Sequence, residues 1–451
     1  MIKKGVVLIF VFISSYGYAQ QKEARSFNLD EAISFAIDSN YTAINARRDI
    51  AIAIKQKWET TAAGLPQING TISYNNNLKQ PVTLLPAEIT GGPTGTFTPV
   101  TFGTKQNGSA VATLDQLIFD GSYLVGLKAA KTFLKYSENL LEKTNLEIRK
   151  GVINAYGSVI LSKELVLIFE KNKVNLEKNL FETRKIFENG LAEEESVEQL
   201  EITLLQIDTQ LNNVRRTYSI AKQMFNVSLG IDVSEVVVFE DSFDELTTQN
   251  IRLDLLDKAL NIEENIDYKI ALNYTQQRDL EMQLEKSKFL PSLNAFANYG
   301  TAANSNTFSF FNGEQIWYQS SIIGLSLKVP VYSSGMRRAK TQKAEIALEK
   351  AETDLELAIQ NIMLELNTSK SNYQFAIDKY QNAKKNIALA ERIENKNQTK
   401  FIEGLASSFD LRQAQTQLYT FQQEYFQSML DVINAKSNLE TVLNTPQLTN
   451  N

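Results

Sequence analysis

A set of short motifs occurs twice in this chain, in the same order. The segment LPQING at 65–70 returns as LPSLNA at 290–295, and FENGLA at 187–192 returns as FIEGLA at 401–406. In both copies a helix-patterned stretch precedes the Leu-Pro motif, and a stretch of alternating polar and apolar residues follows it. A duplication of this size predicts one body built from two quasi-equivalent halves rather than two unrelated domains.

The composition excludes many kinds of active site. The chain has 451 residues and contains neither Cys nor His. Thiol nucleophiles, disulfides, histidine-ligated metals and Ser-His-Asp triads are therefore impossible. The 52 Asp and Glu residues are scattered among Lys, Asn and Gln on predicted helical faces and form no convergent acidic cleft. We therefore expect neither an enzyme nor a bound cofactor or metal.

Residues 1–19 have the pattern of a removable signal peptide. Lys3 and Lys4 form a basic region, residues 5–13 are apolar, and Gly17-Tyr18-Ala19 fits the small-x-small cleavage pattern. Removal of the two lysines leaves a formal charge of 44 − 52 = −8. We expect an exported protein that does not bind nucleic acid, because phosphate binding needs a basic surface.

The eight prolines leave the segments 100–290 and 331–445 without a helix breaker. A seven-residue repeat of apolar or small residues predicts long helices there, at about 122–189 and 338–402, packed as coiled coils. The repeat positions are Leu127, Leu134, Leu141, Ile148, Ala155, Ser162, Phe169 and Leu176, and in the second copy Leu348, Leu355, Ile362, Ser369, Ala376, Ala383 and Ala390. At 1.5 Å per residue each helix would be about 100 Å long.

Each long helix ends at a tip motif, Gly190-Leu191 in the first copy and Gly404-Leu405 in the second. The glycine is predicted to take the left-handed conformation that ends a helix. Helical periodicity then resumes at about 194–229 and 408–443. Each copy should therefore contain a hairpin of two helices.

Alternating apolar and polar residues predict four strands, at about 66–78, 109–119, 291–300 and 317–331. Each run has about the ten residues that a tilted membrane-spanning strand needs. Beyond the signal peptide, no stretch approaches the roughly 20 apolar residues of a membrane-spanning helix. If this chain crosses a membrane, we expect it to do so with strands.

Aromatic residues lie near the strand ends, which is typical of the interfacial girdles of membrane barrels. The segment 79–106 is rich in Pro, Gly and Thr, and both it and 303–316 are expected to be loops. The aromatic set is Tyr74, Phe119, Tyr299, Trp317, Tyr318 and Tyr332, to which the second loop adds Phe308, Phe310 and Phe311. Four strands cannot enclose a pore, and open edges are not tolerated in lipid, so several chains should share one barrel.

The chain resembles the outer membrane efflux protein (TolC-like) family from Asn28 to Leu443. The resemblance lies in the Leu-Pro junctions, aromatic turns and Gly-Leu tips, each of which occurs twice and in the same order. The family implies a mainly α fold with membrane β: a trimer whose twelve strands form one outer-membrane β-barrel, continued by a long periplasmic α-helical barrel. The internal two-fold repeat matches this fold. The expected division is signal peptide 1–19, first repeat 20–230, equatorial segment 231–252, second repeat 253–445 and C-terminal tail 446–451.

This resemblance implies an outer-membrane exit duct of a tripartite efflux or type I secretion system. The expected partners are two further copies of the chain, a periplasmic adaptor (membrane fusion protein), an inner-membrane pump and outer-membrane lipid. Because the chain has no nucleotide-binding loop, the energy would come from the pump. Gly190, Leu191, Gly404 and Leu405 are expected to form the surface on which the adaptor docks.

The family also places a channel constriction near the second tip. Its carboxylates six and nine residues after the tip glycine correspond here to Asp410 and Gln413, and its gate-holding polar links lie near Phe401, Ala406 and Ser196. A ring of three Asp410 carboxylates would attract cations and raise one another's pKa. The alternative is that Asp410 caps the returning helix, because Ser407-Ser408-Phe409-Asp410 has the character of a cap. Ala406 replaces a family arginine, so the family's gate-closing bond cannot be carried over.

Two other interpretations remain open at this stage. A periplasmic adaptor is also exported and contains a long helical hairpin, but adaptors normally have one hairpin flanked by β domains. A coiled-coil structural protein would explain the long helices and leave the membrane-length strands unexplained. The sequence does not identify the exported cargo.

Overall fold

The computed structural model describes residues 25–444, so the predicted signal peptide (1–19) and tail (446–451) lie outside the described residues. The chain divides into two compact units. The helical unit comprises residues 25–40, 151–251 and 376–434, and the sheet unit comprises residues 41–150, 252–375 and 435–444.

Helices make up most of the described chain. The elements up to the first tip are β1 (Arg25–Phe27), α1 (Leu29–Ser39), α2 (Tyr41–Ala62), β2 (Gln67–Asn76), β3 (Val82–Pro86), β4 (Phe97–Thr101), β5 (Gln106–Phe119) and α3 (Gly121–Glu188). Those that follow are α4 (Glu194–Leu229), β6 (Val237–Phe239), α5 (Phe243–Gln249), α6 (Asp254–Asp257), α7 (Ile266–Ser287), β7 (Ser292–Ser305), β8 (Tyr318–Lys328), α8 (Met336–Ile402) and α9 (Ser408–Val442). Short 3-10 turns lie at Ala87–Thr90 and Ile262–Glu264.

The sheet unit contains a four-stranded antiparallel sheet in the order β2-β5-β7-β8. The two central strands are longer than the alternation pattern suggested, because their ladder continues to the pair Gln106 and Ser305. A bulge between Leu117 and Phe119 leaves Ile118 without a partner in that ladder. Among the described residues, β2 and β8 each have one neighbouring strand in this sheet.

The register of this sheet separates apolar from polar side chains. One row across the four strands consists of Ile68, Leu114, Ala297 and Ile323, and the next row consists of Asn69, Thr113, Asn298 and Ile322. Successive side chains point to opposite faces of a sheet. One face is therefore mainly apolar and the other mainly polar, and on the apolar face Ile72 and Ile323 are each 87% exposed in the single chain.

The segment 79–106, expected to be a loop, contains a second hairpin. β3 pairs antiparallel with β4, from Val82 opposite Thr101 to Pro86 opposite Phe97. The strands are five residues each and are rich in Thr and Pro, so the alternation signal was too weak to reveal them. This hairpin continues from the β2–β5 pair, because the amide of Asn77 donates to the carbonyl of Lys105 at 2.7 Å.

In the helical unit, the hairpin α3–α4 packs around one apolar cluster. Its buried members are Phe169, Leu176, Leu200, Ile207, Leu211 and Val214. A separate contact joins the expected equatorial segment to the start of the described chain, because β6 pairs in parallel with β1. Tyr156 packs its ring against Phe239 at 5.3 Å, and its hydroxyl lies 2.8 Å from the carboxylate of Asp241.

One expectation about the helices was wrong. By length and composition, α3 contains a stretch apolar enough to cross a membrane, whereas the sequence pattern predicts no such stretch beyond the predicted signal peptide. The apolar side chains of Val152, Val159 and Ile160 are buried in the helical unit. Packing within the helical unit therefore accounts for these three side chains.

Candidate functional site at the helical tips

The two tip motifs fold into the same turn. Gly190 and Gly404 have φ values of +74° and +72°, the left-handed region that favours glycine. The Gly190 amide donates to the Phe187 carbonyl at 2.8 Å, and the Leu191 amide to the Ile186 carbonyl at 3.0 Å. These two bonds are the Schellman motif, which satisfies carbonyls left free at a helix end.

The second tip repeats both hydrogen bonds. The Gly404 amide donates to the Phe401 carbonyl at 3.0 Å, and the Leu405 amide donates to the Lys400 carbonyl at 2.7 Å. The leucine that follows each glycine is turned outward, with Leu191 80% exposed and Leu405 73% exposed. Each hairpin therefore ends in a rigid turn that presents one apolar side chain to its surroundings.

Both tips line one cleft in the helical unit, with a volume of about 610 Å³. The first tip contributes Ile186, Leu191 and Gln199, and the second contributes Phe401 and Phe409. Its lining combines these apolar side chains with carboxylates and hydroxyls. Of the predicted constriction residues, the cleft includes Phe401 but neither Asp410 nor Gln413, which lie exposed on the first turns of α9.

Carboxylates line the cleft from both tips, Glu193 and Glu195 from the first and Glu403 from the second. The first tip carries the consecutive exposed carboxylates Glu193, Glu194 and Glu195 at the start of α4. At the second tip, the Arg412 guanidinium lies over the ring of Phe409, 5.3 Å from its centre. Carboxylates in the first turn of a helix interact favourably with its dipole.

Asp410 belongs to a capping box rather than being the cap residue itself. The Ser407 hydroxyl accepts from the Asp410 amide at 3.2 Å, and the Asp410 carboxylate accepts from the Ser407 amide at 3.0 Å and from its hydroxyl at 2.7 Å. Ser407 is therefore the N-cap of α9, and Asp410 is the third residue of the helix. The hydroxyl and then the amide of Ser407 lower the pKa of Asp410 from its ordinary value.

A half-buried carboxylate, Glu394, lies behind the second tip, and no sequence motif marks it as a site. Burial raises the pKa of Glu394, and a hydrogen bond from the Gln415 side chain opposes that rise. Burial and then the charge of Glu394 raise the pKa of the nearby Tyr419 hydroxyl. Glu394 lies outside the seven-residue repeat, whose next position after Ala390 is 397, so the sequence gives no signal of its burial.

Buried amides also lie between the hairpins of the helical unit. The side chain of Asn172 donates to Gln422 at 2.8 Å, and that of Gln398 donates to Asn179 at 3.1 Å. No group of three or more Asp or Glu side chains within residues 25–444 is placed to hold a metal ion.

Comparisons with known proteins find sequence relatives of this chain. The outer membrane efflux protein family matches residues 261–445. The outer membrane protein TolC of Vibrio cholerae is 24% identical over 419 residues, which cover 90% of this chain and 88% of TolC. The alkaline protease secretion protein AprF of Pseudomonas aeruginosa is 22% identical over 159 residues, or 35% of this chain and 32% of AprF.

Crystal structures of other proteins have the same fold as this chain. The crystal structure of the outer membrane protein VceC from Vibrio cholerae superposes with a TM-score of 0.72 at 15% sequence identity, covering 92% of this chain and 95% of VceC. The family match includes the second Leu-Pro junction and the second tip. This protein is therefore located in the outer membrane and extends into the periplasm, and its residues 261–445 match the outer membrane efflux protein family.

Proposed function

We propose that this protein is the exit duct of a tripartite efflux or type I secretion system, and that it conducts cargo passively to the exterior. The observation that carries the proposal is the sheet β2-β5-β7-β8, whose four strands share one exposed apolar face. Burial of apolar surface is worth about 25 cal/mol per Å². Contact with lipid removes this face from water.

The open edges of the sheet support a homotrimer. Unpaired backbone groups cost several kcal/mol each in lipid, and a closed barrel satisfies them all. In a trimer, the edge strand β2 of one copy would pair with β8 of the next. Three copies of four strands then give one barrel of twelve strands, whose polar face lines the pore.

The polar face suits a water-filled passage. Its side chains are mainly amides and hydroxyls, as in the row of Asn69, Thr113 and Asn298. The hydroxyls of Ser73 and Ser109 lie 2.7 Å apart across neighbouring strands of this face. A lining of this kind hydrates passing solutes without holding them, which supports conduction rather than catalysis.

The tips are proposed as the docking surface for a periplasmic adaptor, which links the duct to an inner-membrane pump. The exposed Leu191 and Leu405 support this assignment, as does the cleft that both tips line. An apolar side chain on a rigid turn loses little conformational freedom when a partner covers it. The duct itself has no source of energy in this proposal, and the pump supplies it.

The entrance of the duct is proposed to lie at the start of α9. Three-fold symmetry would bring three Asp410 carboxylates to one level, with Gln413 one turn further along each helix. Within one chain, Ser407 keeps the pKa of Asp410 low, so these carboxylates are charged at neutral pH. A ring of fixed negative charge attracts cations and binds multivalent cations most strongly.

Planar-bilayer recording tests this entrance. Asp410→Ala should weaken cation selectivity and block by multivalent cations, and Gln413→Asp should strengthen both. Ser407→Ala is the matched control, because it removes the cap hydroxyl and keeps the charge. A duct that conducts with unaltered selectivity in both the Asp410 and Gln413 variants would remove Asp410 from the entrance.

Docking is tested by the double variant Leu191→Ser and Leu405→Ser, which leaves both glycine turns intact. We expect loss of export and of adaptor co-purification, with unchanged conductance in bilayers. The control is Leu205→Ser, an exposed leucine of α4 away from the tip. Export equal to that of the unaltered protein would refute the docking assignment.

The comparisons leave two classes of cargo. AprF is by its name a protease secretion protein, whereas the matching family is named for efflux. We propose only that the cargo passes through the polar lining. The genes beside this one, which would encode the pump and adaptor, distinguish secretion of polypeptides from efflux of small molecules.

A further inference from the structure

An aromatic cluster lies at one end of the membrane-spanning sheet, in the sheet unit. The ring of Tyr74 contacts the rings of Phe308 and Phe310, each at 5.6 Å between centres and nearly perpendicular. Phe310 also contacts Trp317 at 6.1 Å, and Phe308 contacts Phe311 at 5.9 Å. Four of these five rings belong to the segment between β7 and β8, with only Tyr74 contributed by β2.

The cluster covers the apolar face of the sheet. Gly108 lies opposite Tyr74 in the ladder, and the register places both on the same face as Ile72 and Ala110. A Cβ atom added to Gly108 would lie 3.0 Å from the Phe310 ring and 3.3 Å from the Trp317 ring. The segment between β7 and β8 therefore folds back over this face, and Gly108 provides the space for it.

The buried and exposed rings of the cluster have different roles. Phe310 is buried against the sheet, whereas Phe311 is 92% exposed and Phe308 and Ile316 are also exposed. One aromatic ring therefore fixes the segment to the sheet, and its neighbours extend the apolar face outward. Such a patch is covered by something apolar in the working protein.

The position along the sheet fits the edge of a bilayer. Along β5, the stretch from Gly108 to Phe119 has 12 residues, slightly more than the roughly 9–11 that a tilted strand needs to cross a membrane. Phe119 lies at the end of β5 that leads directly into α3, so Gly108 lies at the opposite end. Aromatic side chains are enriched where hydrocarbon meets the polar surface of a membrane.

We propose that residues 306–317 form an aromatic clasp that inserts Phe308, Phe311 and Trp317 among the acyl chains at the exterior surface of the outer membrane. This inference rests on the proposed function, because it takes the apolar face of the sheet to be the lipid face. Continuity of the clasp with that face selects lipid over a protein partner. Phe310, seated over Gly108, holds the clasp in place.

Tryptophan fluorescence tests the clasp, because the chain contains only Trp58 and Trp317. Trp58→Phe leaves Trp317 as the sole emitter, and Trp317→Phe leaves Trp58, on α2, as the control. The protein is placed in vesicles of phosphatidylcholine brominated either near the headgroup or near the chain end. Conductance of the same samples shows whether the duct has formed.

In conducting vesicles, Trp317 should emit at short wavelength and lose most of its emission to bromine near the headgroup, and less to bromine near the chain end. Trp58 should lose none. Adding Gly108→Leu to the Trp58→Phe variant should displace Phe310, shift the emission of Trp317 to longer wavelength and abolish the quenching.

Two results in conducting vesicles would overturn the clasp. Unquenched emission of Trp317, at any wavelength, would mean that water or a neighbouring protein covers it. Quenching unchanged by Gly108→Leu would mean that Trp317 reaches lipid without Phe310 seated on the sheet. Vesicles that never conduct, with Trp317 unquenched, would instead count against the duct itself.

Discussion

The hairpins α3–α4 and α8–α9 of the helical unit end in turns with the same hydrogen bonds, yet they pack differently behind those turns. Their tip glycines are 404 − 190 = 214 positions apart, so residues separated by 214 are equivalent. At four such positions the first hairpin has Phe169, Leu176, Leu180 and Leu200, where the second has Ala383, Ala390, Glu394 and Ala414. The backbone turn has thus been kept while the side chains behind it have diverged.

This difference shows two ways to hold a helical hairpin together. The first hairpin buries large apolar side chains in one cluster. The second buries alanines, which let helix backbones approach closely, and it also carries a half-buried carboxylate. At these four positions the first hairpin thus buries apolar volume, whereas the second has small side chains and a carboxylate and buries larger residues such as Leu411 and Leu418 elsewhere.

The largest expected loss of stability is in the first hairpin, α3–α4. Leu200 is 1% exposed, so Leu200→Ala should cost about 2–5 kcal/mol through lost burial and a cavity. The equivalent change in the other hairpin, Ala414→Gly, should cost about 1 kcal/mol. Hydrogen exchange of α4 and α9 peptides measures both as local opening free energies. Equal costs in the two hairpins would contradict the difference in packing.

The two glycine turns should respond alike. An added Cβ at Gly190 or Gly404 would meet nothing within 4 Å, so only the left-handed backbone opposes it. Gly190→Ala and Gly404→Ala should therefore each cost about 1–2 kcal/mol. Exchange of the tip peptides is the measurement, and a clear cost at one tip alone would break the equivalence.

The two tips differ at the N-cap residue of the helix that follows each of them. Ser407→Ala removes the N-cap of α9 and should destabilise it by about 1 kcal/mol. Glu193 holds the equivalent position and makes no side-chain cap bond, so Glu193→Ser should stabilise α4 rather than destabilise it. Hydrogen exchange at the first turns of α4 and α9 measures the change in stability that each variant causes. A loss of protection in α4 on Glu193→Ser would show that the tips do not share this geometry.

Asp410 adds a pH dependence to the second tip. Its pKa is lowered in the folded chain, so its contribution is present at neutral pH and is lost as the pH falls through that lowered pKa. Acidification should therefore loosen the first turn of α9 in the unaltered protein but not in Asp410→Asn. Exchange of this turn, corrected for the pH dependence of the intrinsic rate, is the readout. An identical pH response in Asp410→Asn would assign the effect to another group.

The pH dependence of stability that Glu394 contributes should be opposite in direction to that of Asp410, and it should be the smallest of these effects. Burial raises its pKa, so the folded hairpin α8–α9 binds that proton more tightly than the unfolded chain. The stabilisation is complete below the unfolded pKa and disappears as the pH rises through the raised value. Glu394→Leu, which copies Leu180, should abolish this dependence, whereas Glu391→Gln at an exposed position should keep it. A response that survives Glu394→Leu would exclude this carboxylate.

The sequence predicted the elements that repeat over many residues or require a particular residue. The long helices follow from the seven-residue repeat, and the tip turns follow from glycines whose positive φ other residues rarely adopt. The hairpin β3–β4 and the three-residue pair β1–β6 are too short for any periodic signal. Their partners are set by tertiary contacts.

The sites were less predictable than the fold, and for a different reason. The Ser407 to Asp410 spacing is that of a capping box, yet which of the two is the cap depends on where α9 begins. The seat of Phe310 over Gly108 joins residues about 200 positions apart, and nothing local to either one indicates it. Contacts across such separations appear only when the register of β2, β5 and β7 is known.

The central claim is that the open sheet of one chain closes with its copies, and disulfide crosslinking tests it most directly because the chain has no cysteine. Ser73→Cys on β2 is paired in turn with Cys at positions 320, 322, 324 and 326 of β8. Within one chain these edges are about 14 Å apart, since neighbouring strands lie about 4.8 Å apart, and this exceeds the roughly 7 Å that a disulfide spans.

We predict that oxidation of outer membranes gives a covalent trimer at one register of β8 and little product at the others. The trimer should return to monomer on reduction, and the single-cysteine variants should give none. Monomer at every register, in protein that still conducts, would contradict a barrel shared by three chains.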